Sequence, residues 1–195
     1  MNQLLIESTS TNNIEQILIS IKNGADVDCV NKYNVTALCI ACKKGFINAA
    51  KILLHENASV NLTGNDWMTP LHLASYNGHY DIVKLLIEYD VDINKKRKDG
   101  ATAIYFATEN RHPRIVKLLI EYNADVNPNQ YWMGTPLYIA CFRGYDEIVL
   151  LLINANANIN EIINGRWSPI IIAKEMKKHS IVKLLEHKLN GTNNL

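Results

Sequence analysis

The chain has 195 residues, 48% of them hydrophobic, with 20 Lys+Arg against 19 Asp+Glu and a formal net charge of +1. That balance gives no whole-molecule field toward nucleic acid or an anionic membrane, and the apolar fraction is enough to bury a core along the full length. The longest apolar runs, such as Ile148-Val149-Leu150-Leu151-Leu152-Ile153, fall far short of the ~20 residues a membrane helix needs.

Residues 1–30 open on Met1-Asn2-Gln3-Leu4-Leu5-Ile6-Glu7, which lacks the basic start and long apolar stretch of a secretory signal, so a cytoplasmic location is expected. They close on Ala25-Asp26-Val27-Asp28. A phrase then recurs without insertion: Thr36-Ala37-Leu38-Cys39-Ile40-Ala41, Thr69-Pro70-Leu71-His72-Leu73-Ala74, Thr102-Ala103-Ile104-Tyr105-Phe106-Ala107, Thr135-Pro136-Leu137-Tyr138-Ile139-Ala140 and Ser168-Pro169-Ile170-Ile171-Ile172-Ala173. Each copy starts 33 residues after the last, a period that means stacked supersecondary units.

Each phrase predicts a short first helix. The Thr or Ser hydroxyl caps a free backbone N–H, and Pro is pre-set for the first helical position. Where Ala37 and Ala103 replace Pro, the cap is expected to remain. Gly45, Gly78 and Gly144 end the helix in a left-handed turn, and Arg111 and Lys177 stand at that position at a cost of about 1 kcal/mol each.

A second helix follows in each unit, as in Ile82-Val83-Lys84-Leu85-Leu86-Ile87 and Ile115-Val116-Lys117-Leu118-Leu119-Ile120, with one apolar face and Lys or Glu outward. Alternating segments such as Val91-Asp92-Ile93-Asn94 and Ala124-Asp125-Val126-Asn127 close the unit and lead into a hairpin.

Helix, turn, helix and hairpin at this period, opened by Thr-Pro-Leu-His-x-Ala, resemble the ankyrin repeat. The resemblance implies an all-α repeat solenoid of stacked helix-turn-helix units with projecting β-hairpin loops. It divides one domain into a degenerate leading unit at 1–30 and units at 31–63, 64–96, 97–129, 130–162 and 163–195. Glu7 and Ser20, in line with the apolar Ile40 and Leu53, fit a leading unit whose outer side meets water.

The chemistry-bearing residues form no catalytic or metal constellation. Cys39 and Cys42 make a lone CxxC; Cys42 and Cys141 share a repeat position with Ser75 and Thr108, a slot for small packed residues. His79 and His112 lie one layer apart, roughly 8–10 Å, whereas zinc holds each ligand at ~2 Å. His72 is read as locally hydrogen-bonded, and Glu88 and Glu121 as solvated. No phosphate loop or nucleophile elbow is present, so no catalytic residue, cofactor or metal is assigned. Lys95-Lys96-Arg97-Lys98 is read as a solvated hairpin linking two repeats, in preference to a nuclear-localisation or phosphate-binding patch, and as a source of electrostatic steering for an acidic partner.

The resemblance implies protein binding through hairpin tips and the concave first-helix face. The tips supply Tyr33, Asp66, Trp67, Lys98, Asp99, Tyr131, Trp132, Arg166 and Trp167, including all three tryptophans. The ends of the first helices supply Lys43, Lys44, Tyr76, Asn77, Glu109, Asn110, Phe142, Arg143 and Met176. Large aromatics and Arg of this kind anchor interfaces. The expected function is a non-enzymatic scaffold, monomeric when free, that engages a protein partner rather than nucleic acid or membrane. A pathogen or symbiont effector acting in a host cytosol would use the same surface, and an enzyme would need an unrecognised site bridging layers.

Overall fold

The computed structural model describes residues 1–64, 66–128 and 134–192. Among them are twelve helices: α1 (Asn2–Ser10), α2 (Ile14–Lys22), α3 (Ala37–Lys44), α4 (Ile47–His55), α5 (Pro70–Asn77), α6 (Tyr80–Glu88), α7 (Ala103–Glu109), α8 (Pro113–Glu121), α9 (Pro136–Arg143), α10 (Asp146–Asn154), α11 (Pro169–Glu175) and α12 (His179–Thr192). This is the all-α repeat solenoid expected of stacked helix pairs. The chain divides into two compact units, Met1–Lys98 and Asp99–Leu195. In the first, α1, α3 and α5 pack in succession and α2, α4 and α6 lie beside them in the same order. In the second, α7, α9 and α11 do the same, with α8, α10 and α12 alongside.

The core follows the apolar stripe of the second helices. Ile82, Val83, Leu85 and Leu86 of α6 are buried, as are Ile115, Val116, Leu118 and Leu119 of α8, while Lys84, Glu88, Lys117 and Glu121 are exposed. Each side chain of that size contributes about 1.5–3 kcal/mol on leaving water, so within each unit the stripe holds a helix pair to its neighbours. At the small-residue slot, Cys42, Ser75, Thr108 and Cys141 are all fully buried.

First helices start as the hydroxyl pattern requires in four of five copies. Thr36, Thr69, Thr135 and Ser168 accept from the backbone N–H groups of Cys39, His72, Tyr138 and Ile171. Thr102 departs from the expectation: its backbone is extended like that of the other caps, with φ −118° against −106° at Ser168, yet its hydroxyl is buried and makes no cap hydrogen bond. His72 completes a capping box, its Nδ1 accepting from Thr69 N–H at 3.1 Å.

Left-handed turns end both helices of a unit. The first-helix turn falls at Asn12, Gly45, Gly78, Arg111, Gly144 and Lys177, so Arg111 (φ +58°) and Lys177 (φ +54°) adopt the predicted strained conformation. Glycine is required at Gly45, where a Cβ would stand 2.7 Å from the His79 ring. The second-helix turn falls at Gly24, Asn57, Asp90, Asn123 and Asn156. Asn tolerates this region far better than other side chains, which gives part of the chain's asparagine a structural role.

The closing segments hold successive layers together. Asp28 accepts from the backbone N–H and the hydroxyl of Ser59, Asn61 Oδ1 accepts from Asp92 N–H at 3.0 Å, and Asn127 Oδ1 from Asn158 N–H at 2.7 Å. In the leading unit Glu7 faces solvent, but Ser20 is fully buried and donates to the Gln16 carbonyl at 2.7 Å. Its polarity is satisfied within α2 and does not reach water.

Candidate protein-binding surface

The hairpins are short loops; among the described residues, single antiparallel bridges join Val30 with Thr36 and Ile163 with Trp167. Their side chains fold the tips locally. Asn31 Oδ1 accepts from Tyr33 and Val35 N–H, Asp66 Oδ1 from Met68 N–H, and Asp99 Oδ1 from Ala101 N–H. Side chains spent on the turn in this way hold the tip shape and leave the neighbouring aromatics outward.

In Met1–Lys98, Tyr33 is 60% and Trp67 47% exposed. Trp67 has φ +60°, at the position where other hairpins place Asn34 and Gly100. A bulky residue there costs about 1–3 kcal/mol. The Lys98 ammonium lies 4.3 Å from the centre of its ring, and Lys32 lies 5.0 Å from that of Tyr33. Of the first-helix candidates, Lys43 and Tyr76 are exposed. Lys44 Nζ donates to the Ser10 carbonyl and Asn77 to the Leu73 carbonyl, so both are engaged at helix ends.

In Asp99–Leu195, Trp167 is half-buried beneath the Arg166 guanidinium, 4.5 Å from its ring centre. Arg143 lies 5.8 Å from the Phe142 ring, and Met176 is 38% exposed. Glu109 is half-buried, and Asn110 donates to the Phe106 carbonyl. Tyr131 and Trp132 lie outside the described residues.

The remaining chemistry-bearing groups serve the fold. His72 Nε2 donates to the Lys95 carbonyl at 2.8 Å, and His79 Nε2 donates to that of Lys43 at 3.1 Å. All four cysteines are buried and free. Burial pushes the Cys42 thiol well up and that of Cys141 up to about 12, so neither supplies a thiolate near neutral pH. Among the described residues no group of His, Cys, Asp or Glu has metal-holding geometry, and no helix is long and apolar enough to cross a membrane.

One surface had no counterpart in the sequence reading. Between α2, α4 and α6 lies a groove of about 610 Å³ lined by Leu18, Ile52, Leu85 and Tyr89 together with Lys51 and Glu88. Its signal in the chain is Leu18, which occupies the slot held by Lys51, Lys84 and Lys117 in the next three units.

Short helix pairs at a fixed period, stacked through one apolar stripe and joined by hairpins with outward side chains, define a helical-repeat solenoid. The chain belongs to the ankyrin-repeat family: the family model for ankyrin repeats (3 copies) matches residues 5–97 and 90–163. Members of that family are in general protein–protein interaction modules. No curated protein shows significant similarity to the chain.

Proposed function

We propose that this chain is a non-enzymatic binding module, monomeric when free, that grips a protein partner through its hairpin tips and the exposed face of its first helices. The observation that carries the reading is Trp67: a large aromatic half in water, on a left-handed backbone that Asn or Gly would adopt at less cost. Strain of that kind persists where something other than stability selects the residue. Tyr33, Tyr76, Phe142, Arg143, Arg166 and Trp167 extend the contact, with Trp132 expected to join them. Asn77, Asn110 and Lys44 contribute less, because their polar groups are already engaged. Four free buried thiols suit a reducing compartment, and we place the module in the cytoplasm.

The test is affinity capture with the wild type and a Trp67→Ala, Trp132→Ala, Trp167→Ala chain side by side, followed by mass spectrometry. The triple variant should keep its helical circular dichroism and lose the partner. Unchanged capture would remove the tryptophan row from the interface.

A further inference from the structure

The near-zero net charge of this chain conceals a strong separation of charge within Met1–Lys98. That unit carries ten Lys+Arg and ten Asp+Glu. Lys32, Lys43, Lys44 and the four cations of Lys95-Lys96-Arg97-Lys98 all lie in hairpins or first helices, where the acids of the unit are Glu7 and Asp66; Asp99, next after Lys98, adds one more carboxylate to the last hairpin, where its Oδ1 accepts from Ala101 N–H. The second helices and closing segments hold the other eight acids against Lys22, Lys51 and Lys84. One face is therefore basic and the remainder acidic, in roughly equal measure.

The acids are also more fully occupied than the bases. Asp26 accepts from Asp28 N–H, Asp28 from Ser59, Asp92 from Asn94 N–H and Asp66 from Met68 N–H. Lys43, Lys95 and Lys96 are exposed, and among the described residues their ammonium groups have no ion-pair partner. The run from Lys95 to Lys98 is not a loose linker either. The His72 ring holds its first carbonyl, and its last ammonium lies over Trp67, so the cations are fixed beside the aromatic anchor.

We infer that the segment bound on this face is an acidic stretch of a partner protein, with an apolar or aromatic residue seated against Trp67 and Asp or Glu carboxylates on Lys95, Lys96 and Lys43. This rests on the reading of the chain as a protein-binding module and adds the chemistry of what it binds. A field of one sign around a rigid aromatic selects partners of opposite charge and speeds encounter, with an effect that salt screens.

The experiment uses the full chain and four fluorescent or light-scattering probes: a 14-residue Asp/Glu-rich peptide with one central Phe, its Lys-rich counterpart, single-stranded poly(U), and phosphatidylserine-containing vesicles. The acidic peptide should bind the wild type most tightly and weaken about tenfold between low and several-fold higher salt. Lys95→Glu with Lys96→Glu should weaken it about tenfold further, while Lys51→Glu with Lys84→Glu, on the second helices, should leave it unchanged. Circular dichroism of both pairs establishes that they fold. Equal affinity for the Lys-rich peptide, tighter binding of poly(U) or vesicles, or equal loss in both double variants would overturn the inference. If Trp-dependent capture of a partner persists in the Lys95→Glu, Lys96→Glu chain, the binding-module reading stands and the charge inference alone fails.

Discussion

The second helices and the hairpins come from the same repeats yet obey opposite rules. In α6 and α8 the apolar positions are nearly the same residues one period apart, Ile82 and Ile115, Val83 and Val116, Leu86 and Leu119, and all are buried. The hairpins of those two repeats keep an Asp, Asp66 and Asp99, and a buried residue two positions on, Met68 and Ala101, but between them one displays the exposed Trp67 where the other has Gly100. Packing tolerates few solutions at a buried slot, whereas an exposed tip is constrained only by its backbone turn. Regularity marks what holds the stack, and variation marks what the stack displays.

Substitutions in the two regions should separate sharply. The largest loss is expected from Leu86→Ala, which leaves a cavity under a fully buried side chain and should cost about 2–5 kcal/mol in a denaturant titration. Gly45→Ala comes next. A Cβ there combines a left-handed backbone with a 2.7 Å approach to His79, so chemical denaturation should show a loss of about 1–3 kcal/mol. Lys177→Gly should act in the opposite direction, raising stability by about 1 kcal/mol in the same assay, since it removes a left-handed non-glycine residue.

The smallest effect concerns the thiols. Burial holds the Cys141 proton up to about 12 in the folded chain against an ordinary 9.0 for a thiol. Between those values the folded state binds more protons than the unfolded one, so stability falls as pH rises through that window and is fully present below it. Melting temperatures of the wild type should decline more steeply above pH 9 than those of Cys141→Ser, whose side chain fits the slot Ser75 already fills. Parallel curves would mean that the thiol titrates as freely as in the unfolded chain.

Most of the fold was legible because period, caps and turn residues are local signals. The Thr-Pro openings, Gly45, Gly78 and Gly144, and even the strain at Arg111 and Lys177 follow from single positions in the repeat. What was not legible depends on contacts across repeats or on backbone detail. Thr102 reads like any other cap, and only the side-chain placement shows the missing hydrogen bond. Ser20 looks like a solvated cap residue until α2 supplies a carbonyl for its hydroxyl. The basic run looked like a linker because the His72 to Lys95 contact spans 23 residues. For the binding surface, the repeat register placed Trp67 in a hairpin but gave no hint that its backbone is left-handed, which is the stronger argument for function.

A binding role for Trp67 is tested most directly by Trp67→Asn. Asn at φ +60° relieves the strain, as Asn34 does at φ +54° in the preceding hairpin, while the aromatic surface and its contact with Lys98 are lost. Thermal melting and affinity capture of this one variant beside the wild type then report stability and function together. The account predicts a chain at least as stable as the wild type that no longer retains the partner. A chain that melts lower, or one that captures the partner undiminished, would contradict it.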